Sequence, residues 1–263
     1  MAETRRALIT GAAVRVGRAI ALDLAADGWD VAIHYNGSAE QAEDTANEAR
    51  ALGVRAETVA ADLLVEAEVA GLVDRAAGAL GGPLSLLVNN ASIFEAETLE
   101  TMTRESWDRA IESNLRAPVK LTQDFAAQAP KAVLDDRGEP VARSVVINLI
   151  DQRVLKPTPM FLSYFIAKSG LLAFTRSSAQ ALAPDIRVAG IGPGPTLVAT
   201  EQSDTHFARQ RAACLLGRGS DPEDITAAVR FIIANKSFTG QMLAIDGGQH
   251  LVWQTPDVIG TGE

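Results

Sequence analysis

Cysteine, histidine and tyrosine are scarce in this chain, basic residues are in deficit, and no long apolar run occurs. Cys214 stands alone, so no disulfide can form within the chain, and a reducing, cytoplasmic setting is the expectation. His34, His206 and His250 are far apart in sequence and none belongs to a ligand-spaced pair, so no metal site is expected. Lysine and arginine number 24 against 33 acidic residues, for a net charge of −9. A nucleic-acid partner needs a cationic excess to neutralise phosphates, and the longest basic run is Arg5-Arg6, so that class of function is set aside. The apolar stretch that follows, Ala7 to Val14, is short and interrupted by Gly11, unlike a signal peptide. Nothing approaches the length needed to cross a membrane.

What is present is an ordinary globular balance: 263 residues, 47% hydrophobic and 22% charged. A chain of this length buries a core without covalent staples. Short apolar runs alternate with longer helical stretches from end to end. Strands are predicted over Ala7–Thr10, Trp29–Tyr35, Val54–Ala60, Leu84–Asn89, Ser144–Leu149, Ile186–Ile191 and Met242–Ile245. Helices are predicted over Gly17–Asp27, Ser38–Leu52, Val65–Leu80, Thr103–Ala129, Ser163–Ala183 and Asp221–Ala234. Parallel neighbours need crossover connections, and apolar strands need cover on both faces. The reading is therefore an α/β fold: a single Rossmann-type domain over 1–263, with a doubly wound parallel sheet of about seven strands flanked by helices on both faces. Two segments break the rhythm. Lys131–Arg143 is polar and contains Gly138 and Pro140, which predicts a surface loop, and Pro193–Leu216 is a candidate substrate lid.

The first strand runs into Gly11-Ala12-Ala13-Val14-Arg15-Val16-Gly17 before a helix begins. Gly11 lets the chain turn, Gly17 permits close approach, and the helix start offers free N–H groups to a pyrophosphate. Two glycines alone are a weak signal, but their place in the first strand-to-helix unit favours a dinucleotide site. The second strand ends in His34-Tyr35-Asn36-Gly37-Ser38, with no carboxylate to repel a ribose 2′-phosphate. With Arg15, His34 and Ser38 as donors, NADP(H) is the expected cofactor.

These residues, with Asn89-Asn90-Ala91 after the fourth strand, Asn114 in the next helix, Tyr164-Phe165-Ile166-Ala167-Lys168 and Gly192-Pro193-Gly194, resemble the short-chain dehydrogenase/reductase family over nearly the whole chain. The resemblance implies that Tyr164 is the proton donor, that Lys168 holds the nicotinamide ribose, and that Asn114 holds a water in the proton relay. It also implies cofactor contacts around Tyr35, Asn36, Asp62, Leu63, Asn89, Ala91, Gly192, Pro193 and Thr196, and a homotetramer. On a helix, positions i and i+4 share a face, so the Lys168 cation is expected to lower the phenol pKa.

Two departures narrow the resemblance. Arg15 stands where most members have a third glycine, and Asp151, thirteen residues before Tyr164, stands where most have a serine. Together with His34-Tyr35 and Asn90-Ala91-Ser92-Ile93-Phe94, they resemble the pteridine reductase and dihydromonapterin reductase branch. That resemblance implies that Arg15, Ser92, Phe94, Asp151 and Tyr164 face the substrate. The chemistry agrees. A carboxylate cannot donate to a developing oxyanion, whereas reduction of a ring C=N bond forms none. The expectation is an NADPH-dependent reductase of a pterin-like ring, of the dihydropterin, biopterin or dihydrofolate type. The alternatives are a carbonyl reductase of 3-oxoacyl or sugar type and a non-catalytic dinucleotide sensor.

Overall fold

The computed structural model describes residues 5–198 and 202–255. Its main sheet has seven strands, all parallel: β1 (Arg6–Ile9), β2 (Asp30–Tyr35), β3 (Ala56–Ala60), β4 (Leu86–Asn89), β7 (Ser144–Leu149), β8 (Ile186–Pro193) and β9 (Met242–Ile245). They lie in the order β3-β2-β1-β4-β7-β8-β9. The chain first steps outward from β1 to β2 and β3, then returns across β1 to β4. The reversal opens a crevice beyond the carboxyl ends of β1 and β4, the place where such sheets bind ligands.

Alternation along each strand builds a core on either side of the sheet. Ala7 and Ile9 of β1 join Val145, Ile147 and Leu149 of β7 on one face. Helices α1 (Arg15–Ala26) and α9 (Pro222–Ala234) cover them with Ile20, Leu24, Ile225, Val229 and Ile232. Leu8, Leu87 and Val146 turn to the other face. There α4 (Leu72–Leu80) and α6 (Ala117–Gln128) contribute Leu72, Leu80, Leu121 and Phe125. Buried on both sides, the strands are apolar at nearly every position. Helix α2 (Ala39–Ala51) runs between β2 and β3.

Four segments depart from the sequence expectation. The helix predicted over Val65–Leu80 is two, α3 (Glu66–Ala70) and α4, parted at Gly71, a residue of low helix propensity. The helix predicted over Thr103–Ala129 is α5 (Arg104–Ile111) and α6 joined by a widened π turn, Glu112–Arg116. Within the predicted loop Lys131–Arg143, β5 (Val133–Leu134) and β6 (Pro140–Val141) pair as a small antiparallel ribbon. The candidate lid holds the end of β8 and α8 (Asp204–Ala212), while its residues 199–201 lie outside the described residues. Cys214 follows α8, is 5% exposed, and packs near Gly247 beyond β9. Among the described residues no helix is long and apolar enough to cross a membrane, and no cluster of candidate metal ligands occurs.

Candidate active site

The crevice is a cavity of about 500 Å³, within the range of small-molecule sites. Its floor comes from the end of β7 and from α7 (Leu162–Leu182). Tyr164, in the first turn of α7, donates its hydroxyl to Asp151 Oδ2 at 2.8 Å. Asp151 Oδ1 accepts the backbone N–H of Arg153 at 2.7 Å, so the same carboxylate caps the short 3-10 turn Gln152–Val154. One helical turn beyond Tyr164, the buried Lys168 ammonium donates to the Leu149 carbonyl at 2.8 Å.

Burial dominates the electrostatics of this trio. It raises the Asp151 pKa against the opposing hydrogen bonds from Arg153 and Tyr164 and the charges of Arg153 and Lys168. It pushes Lys168 down to about 8, opposed by the Asp151 charge. Tyr164 lies well above its ordinary value, through burial and then through the Asp151 charge and hydrogen bond. This corrects the expected lowering of the phenol pKa by Lys168. The lysine sits above the phenol ring, 5.6 Å from its centroid, while the hydroxyl faces a carboxylate. The tyrosine thus holds its proton firmly and points it at Asp151.

The glycine turn forms the opposite wall. Gly11 has φ +63°, and a Cβ on Gly17 would stand 2.2 Å from the Gly11 carbonyl, so neither position accepts a side chain. Arg15 has a left-handed φ of 57°, which explains why glycine suits this position and makes arginine a strained choice. Its guanidinium reaches across the cavity mouth and donates to the Val198 carbonyl at 2.8 Å and the Leu197 carbonyl at 3.4 Å. Val16, Asn36, Ala91, Ser92, Pro193 and Thr196 also line the cavity. The Thr196 hydroxyl is shared with Ser220 at 2.6 Å.

His34 is a correction. It borders the cavity, yet both ring nitrogens are engaged: Nδ1 accepts the Gly11 N–H at 3.0 Å, and Nε2 meets the Ala61 carbonyl at 3.1 Å. Burial lowers its pKa to about 4, so the ring is neutral and holds the glycine turn rather than donating to a phosphate.

Other residues expected at the site have partners elsewhere in the fold. Asn114 sits in the π turn with its side chain spent on Ile93, Oδ1 accepting the backbone N–H and Nδ2 donating to the carbonyl, both at 2.8 Å. Its amide therefore anchors the segment after β4. Asn89 turns into the sheet and donates to Asn148 Oδ1 at 2.8 Å. Its neighbour Asn90 faces the turn instead, donating to the Thr10 carbonyl at 2.8 Å and the Gly11 carbonyl at 3.2 Å. Leu63 belongs to the core, Tyr35 packs against the opposite core, and Gly192 makes room for Met242. Asp62 shapes the turn after β3 by accepting the Leu64 N–H at 2.9 Å. Neither Asp62 nor Ser38 lines the cavity.

Phe94 enters the cavity beside Tyr164, ring edge to face with centroids 4.8 Å apart. Its ring is stacked on Phe161 at 4.2 Å with planes 6° apart. The Arg153 guanidinium lies 4.7 Å from the Phe161 centroid and 5.6 Å from that of Phe94. Phe161, Arg153 and Gln152 were not singled out from sequence, and Asn90 was quoted only as part of its motif. Gln152 and Arg153 follow Asp151, Asn90 follows Asn89 and Phe161 lies three residues before Tyr164, so proximity to those residues was the one available signal.

A family profile described as enoyl-(acyl carrier protein) reductase matches residues 11–250. A short-chain dehydrogenase/reductase of Hericium erinaceus, eriH, is 34% identical, with 92% of this chain and 96% of that protein covered. This chain belongs to the short-chain dehydrogenase/reductase family. The reductase is also 31% identical to the 3-oxoacyl-[acyl-carrier-protein] reductase FabG of Staphylococcus aureus, over 95% of this chain and 100% of the relative. Among solved structures it is 43% identical to the FolM alternative dihydrofolate reductase 1 of Brucella suis in complex with NADP. The TM-score is 0.90, with 98% of this chain and 99% of that chain covered.

Proposed function

We propose that this short-chain reductase transfers a hydride from NADPH to a ring C=N bond of a pterin-like substrate of the dihydropterin, biopterin or dihydrofolate type. The observation that carries the reading is the Tyr164 hydroxyl donating to a buried carboxylate, Asp151, at the edge of the cavity.

The cofactor is NADP(H). The glycine turn leaves a cradle that any side chain would fill, and the cavity wall at the end of β2 offers His34 and Asn36 but no acid. The Brucella suis relative binds NADP in the same fold. Bound NADPH supplies the hydride. The protein's own groups deliver the proton: it reaches the ring nitrogen from the Tyr164 hydroxyl, which Asp151 holds in place, and the hydrogen-bonded pair is reprotonated from solvent. The substrate carbon gains hydride, the nitrogen gains the proton, and NADP+ leaves. No oxyanion develops, so a carboxyl group at this position carries no penalty. Phe94, backed by Phe161, offers a flat ring a stacking surface. The name of the Brucella suis relative, an alternative dihydrofolate reductase, agrees with this substrate class.

A second reading, reduction of a 3-oxoacyl thioester, is favoured by the 31% identity to FabG. NADPH oxidation against a panel of dihydrobiopterin, dihydrofolate and a 3-oxoacyl thioester separates the two. The expected result is turnover of the dihydropterins well above the thioester, and equal or faster turnover of the thioester overturns the proposal. A cytoplasmic homotetramer, the usual assembly of the family, is part of the same reading and is checked by light scattering.

A further inference from the structure

Helix α7, which carries Tyr164, begins without a cap of its own. Phe161 occupies the N-cap position with a φ of +58° and makes no side-chain capping bond. The free N–H groups of a helix start need acceptors, and a residue from a distant segment supplies one. Glu97, in the stretch after β4, is 7% exposed. Its Oε1 accepts the Ser163 N–H at 2.6 Å, and its Oε2 accepts the Ser106 hydroxyl at 2.6 Å. Its backbone carbonyl accepts the Phe161 N–H at 2.7 Å.

We propose that Glu97 is a positioning residue for the hydride-transfer reaction: it caps α7 from outside the helix and thereby sets Tyr164 against both Asp151 and Phe94. Ser163 immediately precedes Tyr164, so the carboxylate fixes the amide at the root of the proton donor. Phe161 backs Phe94, so the carbonyl of Glu97 fixes the support of the aromatic wall in a backbone conformation that a bulky residue adopts only under constraint. Glu97 lies three residues beyond Phe94 on the same stretch of chain. One residue therefore ties the donor, the wall and the wall's support into a single register. A carboxylate at a helix start is also favoured by the helix dipole. Burial works to raise its pKa, but the hydrogen bonds from Ser106 and Ser163 outweigh burial and hold it below the ordinary carboxylate value.

Behind Tyr164, Glu97, Ser106 and Ser163 bound a second cavity of about 10 Å³, close to the volume of one water. The Ser163 hydroxyl is buried beside it. Truncating Glu97 opens this hole toward the root of Tyr164 and lets the first turn of α7 shift.

The inference does not depend on which substrate is reduced, so the test uses whichever member of the panel the wild-type enzyme turns over fastest. Glu97→Ala removes both side-chain bonds. Glu97→Gln preserves them, because its amide oxygen accepts from Ser163 N–H while its amide nitrogen donates to a reversed Ser106 hydroxyl. In Glu97→Ala, kcat should fall on the order of tenfold or more, with the NADPH dissociation constant, measured by fluorescence titration, unchanged. Glu97→Gln should restore most of kcat. If Glu97→Ala does not fold, Glu97→Asp, which keeps the charge but shortens the reach, should fold and show the same selective loss of kcat. Unchanged kcat in Glu97→Ala, a glutamine variant as impaired as the alanine, or parallel loss of kcat and cofactor affinity would each overturn the proposal.

Discussion

On the proposed reading, a carboxylate in place of a neutral hydroxyl donor disfavours a developing oxyanion and suits a ring nitrogen, which needs only to gain a proton. Asp151 thus carries the proposed chemistry at the scale of one side chain. Replacing it with serine, as Asp151→Ser, should lower kcat for a dihydropterin by about a hundredfold and raise turnover of ketones, measured as NADPH oxidation on both substrates. His34 has a separate consequence. It is neutral in the fold with a pKa near 4 and titrates near 6.5 when unfolded. The unfolded chain therefore takes up a proton first as pH falls, and stability is lost between pH 6.5 and 4. The loss should reach about 3 kcal/mol, read from urea midpoints across that window, and a His34→Gln variant should show a flatter pH dependence. Neither the ring's two bonds nor the choice of Asn90 over Asn89 was readable from sequence. Adjacent residues at a strand end face opposite ways, and one residue of slip exchanges a core amide for a site amide. Tyr164 and Lys168 were readable because positions i and i+4 share a helix face, and Asp151 because it stands where the family it resembles has a serine.

Among elements, the break between α5 and α6 is the informative one. Apolar periodicity carries straight through Thr103–Ala129, and the sequence pattern has no mark for one widened turn. The π turn swings Asn114 onto Ile93, where its two bonds stand in for a strand pairing that the segment after β4 lacks. Asn114→Leu leaves the Ile93 N–H and carbonyl unpaired, and should cost about 3 kcal/mol, seen as a lower urea midpoint at unchanged slope. The apolar strands and the cadence of crossover helices were legible throughout, since burial on both faces leaves an unbroken hydrophobic signature. The split at Gly71 and the β5-β6 ribbon were not, because a five-residue helix and two-residue strands are too short to impose a period.

For the whole molecule, the order β3-β2-β1-β4-β7-β8-β9 brings the glycine turn, the segment after β4 and the end of β7 to one rim. A ligand seated there bridges both halves of the sheet and stabilises them together. NADPH at a hundred times its dissociation constant should add about 2.7 kcal/mol, visible as a thermal shift, and NADH at the same concentration should give less. The chain also contains its own clock for opening of the corner between α8 and the turn after β9, whose Gln210 and Gln249 line the cavity. Cys214, the single thiol, is packed between the end of α8 and the turn after β9, and burial followed by the Asp246 charge raises its pKa. A thiol reagent therefore reacts only when this corner parts, so the labelling rate counts openings, and saturating NADPH should slow the count.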